Sequence, residues 1–342
     1  MMRYSQLSRQ PAVFRAATGL AVAEFEALLD DVLPPLAAAE RARRARPGRR
    51  RAICGGRRAI LAPRDQVLLA VVWLRLYPTG EVLGYLFGVS EDTARRTHAR
   101  VVPVLEAVGR AAMRLPDPGP SHRRSLPALL ADTPALAVVI DTFEQRIQRP
   151  SARAAADATY SGKKRQHTRK TQLAVDERDG RIVACGPSAR GPTADLALLK
   201  ASGLLGRLPP RVGAIADLAY LGIAALHPAG LGATPRRKPR GKPRPPADVA
   251  YNRAFACRRV TVEHTIRRVR GYQALDQTER HGQRGYDARV GAVAGLVNHA
   301  LACRAAVPAE PPPAVALHLV PRWPLARGLP MLRPDHPHRL AA

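Results

Sequence analysis

Two short apolar runs, each followed by an aspartate, most constrain how this chain can fold. The run 136–140 contains only apolar residues, most of them β-branched, and it leads directly into Asp141. The run 211–216 repeats the pattern ahead of Asp217. Runs of this length and composition predict buried β-strands, which places each aspartate at the end of a strand. If both strands belong to one sheet, their carboxylates can meet at one edge, where they repel unless a cation joins them.

The charge of the chain indicates a polyanionic partner. Its 342 residues include 55 Lys and Arg against 27 Asp and Glu, a formal net charge of +28. Such an excess goes beyond what solubility requires and favours nucleic acid. The four cysteines lack the spacing of a zinc site or a disulfide framework. Because the N-terminus does not resemble a signal peptide and no run approaches the roughly 20 apolar residues of a membrane span, we expect a cytoplasmic protein.

The N-terminal part predicts helices, including a helix-turn-helix. Segments 19–36 and 65–77 have helical apolar periodicity, and a short helix over 81–87, a turn at 88–90 and a second helix over 91–102 follow. Ser90 is a suitable N-cap for the second helix. The alternative is an ordinary helical hairpin with a charged outer face. In the DNA-binding interpretation, the residues facing a major groove are Arg95, Arg96, His98 and Arg100.

Two further basic segments are open to two interpretations each. The segment 41–58 is rich in arginine, proline and glycine, so it is either an arm that contacts phosphates or a solvated linker. The segment 232–244 also lacks the pattern of regular structure. It predicts a basic loop, which either contacts DNA or is simply solvated.

The second half predicts a strand, a hairpin, a helix and a strand in that order. The β-like segments 170–176 and 181–186 flank a tight turn at 177–180, and 193–205 predicts a helix ahead of the strand that leads to Asp217. Helices over 248–272 and 287–305 follow. The first of them carries Glu263, which is either a functional acid or the partner of Arg267 or Arg259 at helical spacing.

Three carboxylates in a very basic protein suggest a metal site for phosphoryl transfer. Mg²⁺ binds through a few carboxylates together with substrate phosphates, and Asp141, Asp217 and Glu263 are the candidate ligands. A site with two metal ions can activate the attacking oxygen and stabilise the leaving oxygen. Two sets of cations are candidate phosphate contacts: Lys163, Lys164, Arg165 and Lys170 after the first acid, and Arg267 and Arg270 beside the third.

Five sequence blocks resemble a known family. They are Asp-Thr at 141–142, Tyr-Ser-Gly-Lys-Lys-Arg-Gln-His-Thr-Arg-Lys-Thr at 160–171, Gly-Pro-Thr-Ala-Asp-Leu at 191–196, Asp-Leu-Ala-Tyr-Leu-Gly at 217–222 and Val-Thr-Val-Glu-His at 260–264. In order and spacing they resemble the catalytic half of DDE-superfamily transposases of bacterial insertion sequences. The resemblance is to the insertion-sequence-five-like branch related to Harbinger-type elements, and it covers roughly 136–301.

The resemblance implies an α/β fold and a reaction. The fold is a ribonuclease-H-like mixed five-stranded sheet with flanking helices, preceded by an all-α helix-turn-helix domain. Its catalytic acids and metal ligands would be Asp141, Asp217 and Glu263, with Mg²⁺ or else Mn²⁺ as cofactor. Water would free a 3′-hydroxyl at the transposon end, and that hydroxyl would then attack target DNA. Pairing of two ends would suggest a homodimer on DNA, although no residue of the sequence indicates one.

We therefore expect a DNA transposase associated with the nucleoid in the cytoplasm. Its partners would be double-stranded DNA, both the inverted repeats of its element and the target, and no membrane. The alternative is a non-catalytic DNA-binding protein, either a transcription regulator or an inactive transposase derivative, and a simple nuclease is a third hypothesis. The expected segments are an N-terminal helix and basic arm over 1–62, the helix-turn-helix domain over 63–115, a linker over 116–134, the catalytic domain over 135–305 and a disordered proline-rich tail over 306–342.

Overall fold

A computed structural model describes residues 1–45, 59–119, 126, 128–281 and 285–306. The segment Met1–Ala306 forms one compact unit. Most of the predicted basic arm, part of the predicted linker and the predicted tail from 307 onward lie outside the described residues. Among the helices of the described part, none has the length and apolar character needed to cross a bilayer.

Three helices open the chain: α1 (Tyr4–Leu7), α2 (Pro11–Thr18) and α3 (Val22–Arg44). Helix α3 confirms the predicted packing helix. It continues through Pro34 and Pro35 and ends at Arg44, beyond the predicted end at residue 36. Proline removes a backbone donor from a helix interior and normally breaks it. Here the apolar face continues beyond the prolines to Leu36, which is buried, and we attribute the continuity of the helix to this packing.

The helix-turn-helix follows the prediction closely. It comprises α4 (Pro63–Leu76), α5 (Gly80–Phe87) and α6 (Glu91–Ala112). Between the last two helices, Gly88 has a left-handed backbone with φ 60°, and the Ser90 side chain accepts a hydrogen bond from the Thr93 N–H at 3.2 Å. These are the glycine turn and the N-cap expected from the sequence. The second helix is longer than expected because its apolar face continues to pack beyond residue 102.

The second half builds a mixed sheet. Its strands are β1 (Leu136–Arg146), β2 (Tyr160–Ser161), β3 (Gln166–Asp176), β4 (Ile182–Cys185), β5 (Ala189–Arg190), β6 (Val212–Ala216) and β7 (Gly232–Ala233). Five of them lie in the order β4-β3-β1-β6-β7, and the two-residue strands β2 and β5 pair with the first half of β3. The pairs of β3 with β1 and β4 are antiparallel, and those of β6 with β1 and β7 are parallel. This order and polarity agree with the expected ribonuclease-H-like fold.

Helices cover both faces of the sheet. Successive residues of a strand point to opposite faces, and the alternate residues of β1 accordingly belong to two apolar clusters. One face packs on α8 (Asp195–Ser202) and the short α9 (Ile223–Leu226). The other packs on α10 (Pro246–Arg270) and α11 (Tyr286–Ala306). The remaining helix is α7 (Arg153–Thr159), between β1 and β2.

The helix-turn-helix and the sheet share one core through a contact between α6 and α11. At their crossing a Cβ built on Gly295 would lie 2.5 Å from the Cα of Gly109, and one built on Gly109 would lie 2.7 Å from the Cα of Gly295. Real Cβ contacts are not this short, so only glycine on both helices permits the approach. Two small residues therefore determine how closely the N-terminal helices pack on the sheet-containing half.

Candidate active site

Asp141 and Asp217 lie side by side on neighbouring parallel strands. Ile140 of β1 is in register with Ala216 of β6, and each aspartate is the next residue along the chain. Asp217 follows the end of β6, where its carboxylate accepts the Ala219 N–H at 2.9 Å. The prediction that Asp141 ends its strand is wrong, because β1 continues to Arg146 while paired with β3. The pairing of β1 with β6 ends at Ile140 and Ala216, just before the two aspartates. Both acids therefore lie where the two strands separate.

The Asp141 carboxyl is in an electrostatically unfavourable place. Burial raises its pKa above the ordinary value, and the negative charge of Asp217 raises it further. Two interactions act in the opposite direction: a hydrogen bond from the Thr142 N–H and the positive charge of Arg259. Two acids at one partly buried edge favour the binding of a cation, since a positive charge relieves both desolvation and repulsion.

Arg259 supplies a positive charge to this edge and also connects it to Glu263. Its Nη1 atom donates to Asp141 Oδ2 at 3.1 Å, and its Nη2 atom donates to Glu263 Oε1 at 2.6 Å. The second contact joins residues four apart on α10, so the predicted alternative of a pair between Glu263 and Arg259 is present. The first contact could not be predicted from helical spacing, because it joins residues 118 positions apart. The structure thus links Glu263 to Asp141 through a guanidinium.

A buried ion pair positions α10 over the sheet. Arg258 Nη2 lies 2.8 Å from Glu177 Oε2, with the side chains 4% and 0% exposed. The same arginine donates to Thr133 Oγ1 at 2.8 Å, and Glu177 accepts the Ala137 N–H at 3.1 Å. Because Arg258 precedes Arg259, this anchor sets the rotation of the helix that directs Arg259 toward Asp141. This ion pair could not be predicted from local spacing, since its partners are distant along the chain.

Asp195 forms a second polar cluster on the other face of β1. Its Oδ1 atom lies 2.8 Å from Lys170 Nζ and accepts the Thr142 hydroxyl at 3.1 Å. Lys170 also donates to the Thr193 carbonyl at 2.7 Å, and its side chain is only 10% exposed. The prediction that Lys170 contacts phosphate is therefore corrected: its ammonium is buried and already paired. Thr142 connects this cluster to the backbone beside Asp141.

The other predicted phosphate contacts are at the surface. Lys163, Lys164 and Arg165 form the exposed turn between β2 and β3, and Arg165 has a left-handed φ of 52°. Arg267 and Arg270 are exposed on α10 beyond Glu263, and Arg270 pairs with Asp276 at 2.6 Å. All five therefore remain available at the surface, although one of them already has an acidic partner.

The helix-turn-helix presents two arginines to solvent. Arg95 and Arg96 each lie 2.7 Å from Asp92, and their side chains are 62% and 72% exposed. Arg100 is partly exposed and lies 3.9 Å from Glu40. The outward placement of His98 is wrong: its ring stacks on Trp73 with centroids 4.0 Å apart. His98 lies four residues after Ala94 and therefore on the apolar face of the helix. We predicted an outward position because histidine is polar.

The carboxylates of Asp141, Asp217 and Glu263 are suitable ligands for a hard divalent cation, although the three do not converge on one position. Carboxylate oxygens are the ligands that such ions prefer, and burial together with the charge of Asp217 disfavours the ionised form of Asp141, which is why its pKa is raised. Among the described residues, no three His, Cys, Asp or Glu side chains come together as a metal-binding cluster. Two acids share the sheet edge, and the third reaches them only through Arg259.

Comparisons with known proteins agree with this architecture. A family model described as DDE superfamily endonuclease matches residues 140–298, and one described as the helix-turn-helix of DDE superfamily endonuclease matches residues 60–111. The chain is similar to the probable transposase for insertion sequence element IS702 of Microchaete diplosiphon. The two are 29% identical over 292 residues, which cover 85% of this chain and 95% of that protein. No solved structure gives a significant match. The sheet edge, the order of the strands and both family matches lead to one conclusion: residues 140–298 form a domain of the DDE superfamily of endonucleases, and residues 60–111 form the helix-turn-helix domain of that superfamily.

Proposed function

We propose that this protein is a DNA transposase that cleaves the ends of its element and joins the freed 3′-hydroxyl to target DNA. The observation that carries the proposal is the juxtaposition of Asp141 and Asp217 at one sheet edge, inside the region that matches the endonuclease family. The similarity to a probable insertion-sequence transposase and the formal net charge of +28 support it.

We assign the catalytic acids as Asp141, Asp217 and Glu263, with Mg²⁺ as the preferred cation and Mn²⁺ as a substitute. A bound divalent cation would supply positive charge to the attacking and leaving oxygens of an in-line displacement at phosphorus. The two aspartates offer oxygens at adjacent positions, each directly after the last residue pair that joins β1 to β6. Glu263 completes the set when Arg259 releases it, and the α10 anchor keeps that helix over the sheet.

The DNA contacts divide between the two halves of the protein. We assign recognition of element ends to the segment 63–115, through the exposed Arg95 and Arg96 and the neighbouring Arg100. The segment 135–305 carries the chemistry. The exposed turn with Lys163, Lys164 and Arg165 would contact phosphates of the bound DNA. A homodimer on DNA stays a prediction.

Cleavage of an oligonucleotide that carries the inverted repeats flanking the gene tests the proposal. With Mg²⁺ or Mn²⁺ we expect a nick that leaves a 3′-hydroxyl at the element end, followed by its transfer into a second duplex. Asp141→Asn should abolish both products while DNA binding is retained, since the variant removes a carboxylate and no phosphate contact. Asp179→Asn is a suitable control, because Asp179 lies in an exposed hairpin turn and pairs with Arg181.

The rival hypothesis makes the opposite forecast for the same samples. A non-catalytic DNA-binding protein would bind the repeats and produce no nick with either metal. Nicking without transfer of the 3′-hydroxyl would instead indicate a simple nuclease. Both products together, dependent on metal and on Asp141, are expected only of a transposase.

A further inference from the structure

A basic cavity lies between the helix-turn-helix half and the catalytic half. Its volume is about 420 Å³. The end of α4 contributes Arg75, α10 and the turn after it contribute residues 264–272, and α11 contributes residues up to Arg304. Both halves therefore supply walls, and the cavity depends on the packing of α4 and α11 against α10.

The described residues that line this cavity include five basic side chains and no acid. The basic residues are Arg75, His264, Arg267, Arg268 and Arg304. Four guanidinium groups around one small volume repel one another unless an anion or an acidic side chain lies between them. Guanidinium groups also match the geometry of phosphate oxygens. The chemistry of the cavity therefore selects an anion, and phosphate in particular.

Two of these arginines are anchored and two are not. Arg75 donates to the carbonyl of Gly271 and lies over the Tyr272 ring, and Arg304 lies 3.0 Å from Glu24. Arg267 and Arg268 are exposed and have no ion-pair partner among the described residues. The anchored pair gives the cavity a fixed wall, and the other pair is free to contact a ligand.

The position of the cavity identifies the anion. His264 follows Glu263 directly, and Arg267 lies four residues, or about one helical turn, beyond that acid. On the other side, Arg75 lies in the last turn of α4, five residues before α5 of the helix-turn-helix begins. A DNA strand that runs from the helix-turn-helix to the acids would pass this point.

We propose that the cavity binds one backbone phosphate of the element-end DNA and thereby fixes the distance between the site of recognition and the site of cleavage. This inference rests on the proposed function. It adds a site shared by both halves, with Arg267 and Arg268 as the residues that contact the phosphate and Arg75 and Arg304 as the charged wall behind them.

A set of end oligonucleotides, each with one neutral methylphosphonate in place of a phosphate, tests the inference with the full chain. For the wild type we expect one position at which neutralisation weakens binding by about tenfold or more. In the double variant Arg267→Ala/Arg268→Ala, the same neutralisation should have no further effect. The variant should also lower the slope of log Kd against log salt by about 1.

The control variant is Lys200→Ala/Arg207→Ala, which removes the same charge. Both residues are exposed near α8, on the opposite face of the sheet. It should retain the methylphosphonate effect in full. A thermal melt of each variant verifies that folding is intact, and Arg267→Lys should recover part of the affinity because it keeps the charge.

Two outcomes would overturn the inference. One is wild-type affinity of the double variant for the end oligonucleotide, which would indicate that the cavity binds an acidic protein partner and not DNA. The other is a methylphosphonate effect that persists undiminished in it. Failure of the proposed function is separately visible: the wild type would then bind the same oligonucleotides without metal-dependent nicking, whether or not one phosphate couples to Arg267 and Arg268.

Discussion

Replacing Arg259 by alanine should tighten the binding of divalent cations to this protein. The guanidinium occupies Asp141 Oδ2 and Glu263 Oε1, and a cation that uses the same oxygens must displace it. The contact with Asp141 is shielded, since the two side chains are only 17% and 19% exposed. The contact with Glu263 is weaker because that side chain is 53% exposed.

The magnitude follows from these exposures. A hydrogen bond between charged groups in a shielded position contributes about 1.5–3 kcal/mol, and an exposed pair at this helical spacing contributes about 0.3–0.5 kcal/mol. Displacement of Arg259 therefore costs the wild type about 2–3 kcal/mol. Since 1.4 kcal/mol corresponds to a factor of ten, we expect Arg259→Ala to lower the Kd for Mn²⁺ by about tenfold or more.

Electron paramagnetic resonance of free Mn²⁺ during a titration measures this Kd without DNA or catalysis. Arg43→Ala is the matched control, since it removes an arginine that pairs with Glu40 on α3, far along the chain from the acids. It should leave the Kd unchanged. If Arg259→Ala binds Mn²⁺ no more tightly than the wild type does, the guanidinium does not compete with a cation and the assignment of these oxygens as ligands loses its support.

Three further predictions concern stability and are measured by urea denaturation. Gly295→Ala should lower the free energy of unfolding by about 1–3 kcal/mol, because it overpacks the crossing of α6 and α11. Gly206→Ala should have little effect, because the space around Gly206 is open. Equal urea midpoints for the two variants would refute the close contact between Gly109 and Gly295. Arg258→Met should cost about 3–5 kcal/mol because it leaves the Glu177 carboxylate buried without its guanidinium, and a change below 1 kcal/mol would contradict this anchor. Burial lowers the pKa of His98 to about 3, while the pKa of an unfolded histidine is near 6.5. Between these values the unfolded state binds a proton that the folded state does not, so the free energy of unfolding should fall by about 2 kcal/mol as the pH falls from 7 to 5. His98→Phe should reduce this pH dependence, and an unchanged dependence would mean that another group causes it.

Local signals in the sequence predicted the parts of the structure that local interactions determine. The glycine turn and the Ser90 cap placed the helix-turn-helix, and the apolar run before Asp141 placed the central strand. The spacing of four residues on one helix predicted the pair between Glu263 and Arg259. The same rule, applied to His98, would have placed that residue inside, since it continues the apolar face of its helix.

The remainder depended on partners that are distant along the chain. The strand β1 continues past Asp141 because its polar residues find partners elsewhere: Glu144 accepts the Thr168 hydroxyl at 2.6 Å, and Gln145 donates to the Ala274 carbonyl at 3.0 Å. The anchor of α10 joins Arg258 to a residue 81 positions away. No periodicity or spacing within one element indicates such contacts, so the rotation of α10 and the position of Arg259 could not be predicted.

Of the three acids, Glu263 is the one that does not lie at the sheet edge: its side chain is exposed and paired with Arg259. A single-turnover cleavage assay of Glu263→Gln tests its role most directly. The assay uses the element-end oligonucleotide with saturating Mg²⁺, and thermal melts establish that the variant is folded. If Glu263 is the third catalytic acid, the rate should fall by about a hundredfold or more, a loss of roughly 2.7 kcal/mol or more in transition-state stabilisation, with DNA affinity retained. A Glu263→Gln variant that cleaves at the wild-type rate would contradict the three-acid site and leave Glu263 with no role beyond its ion pair with Arg259.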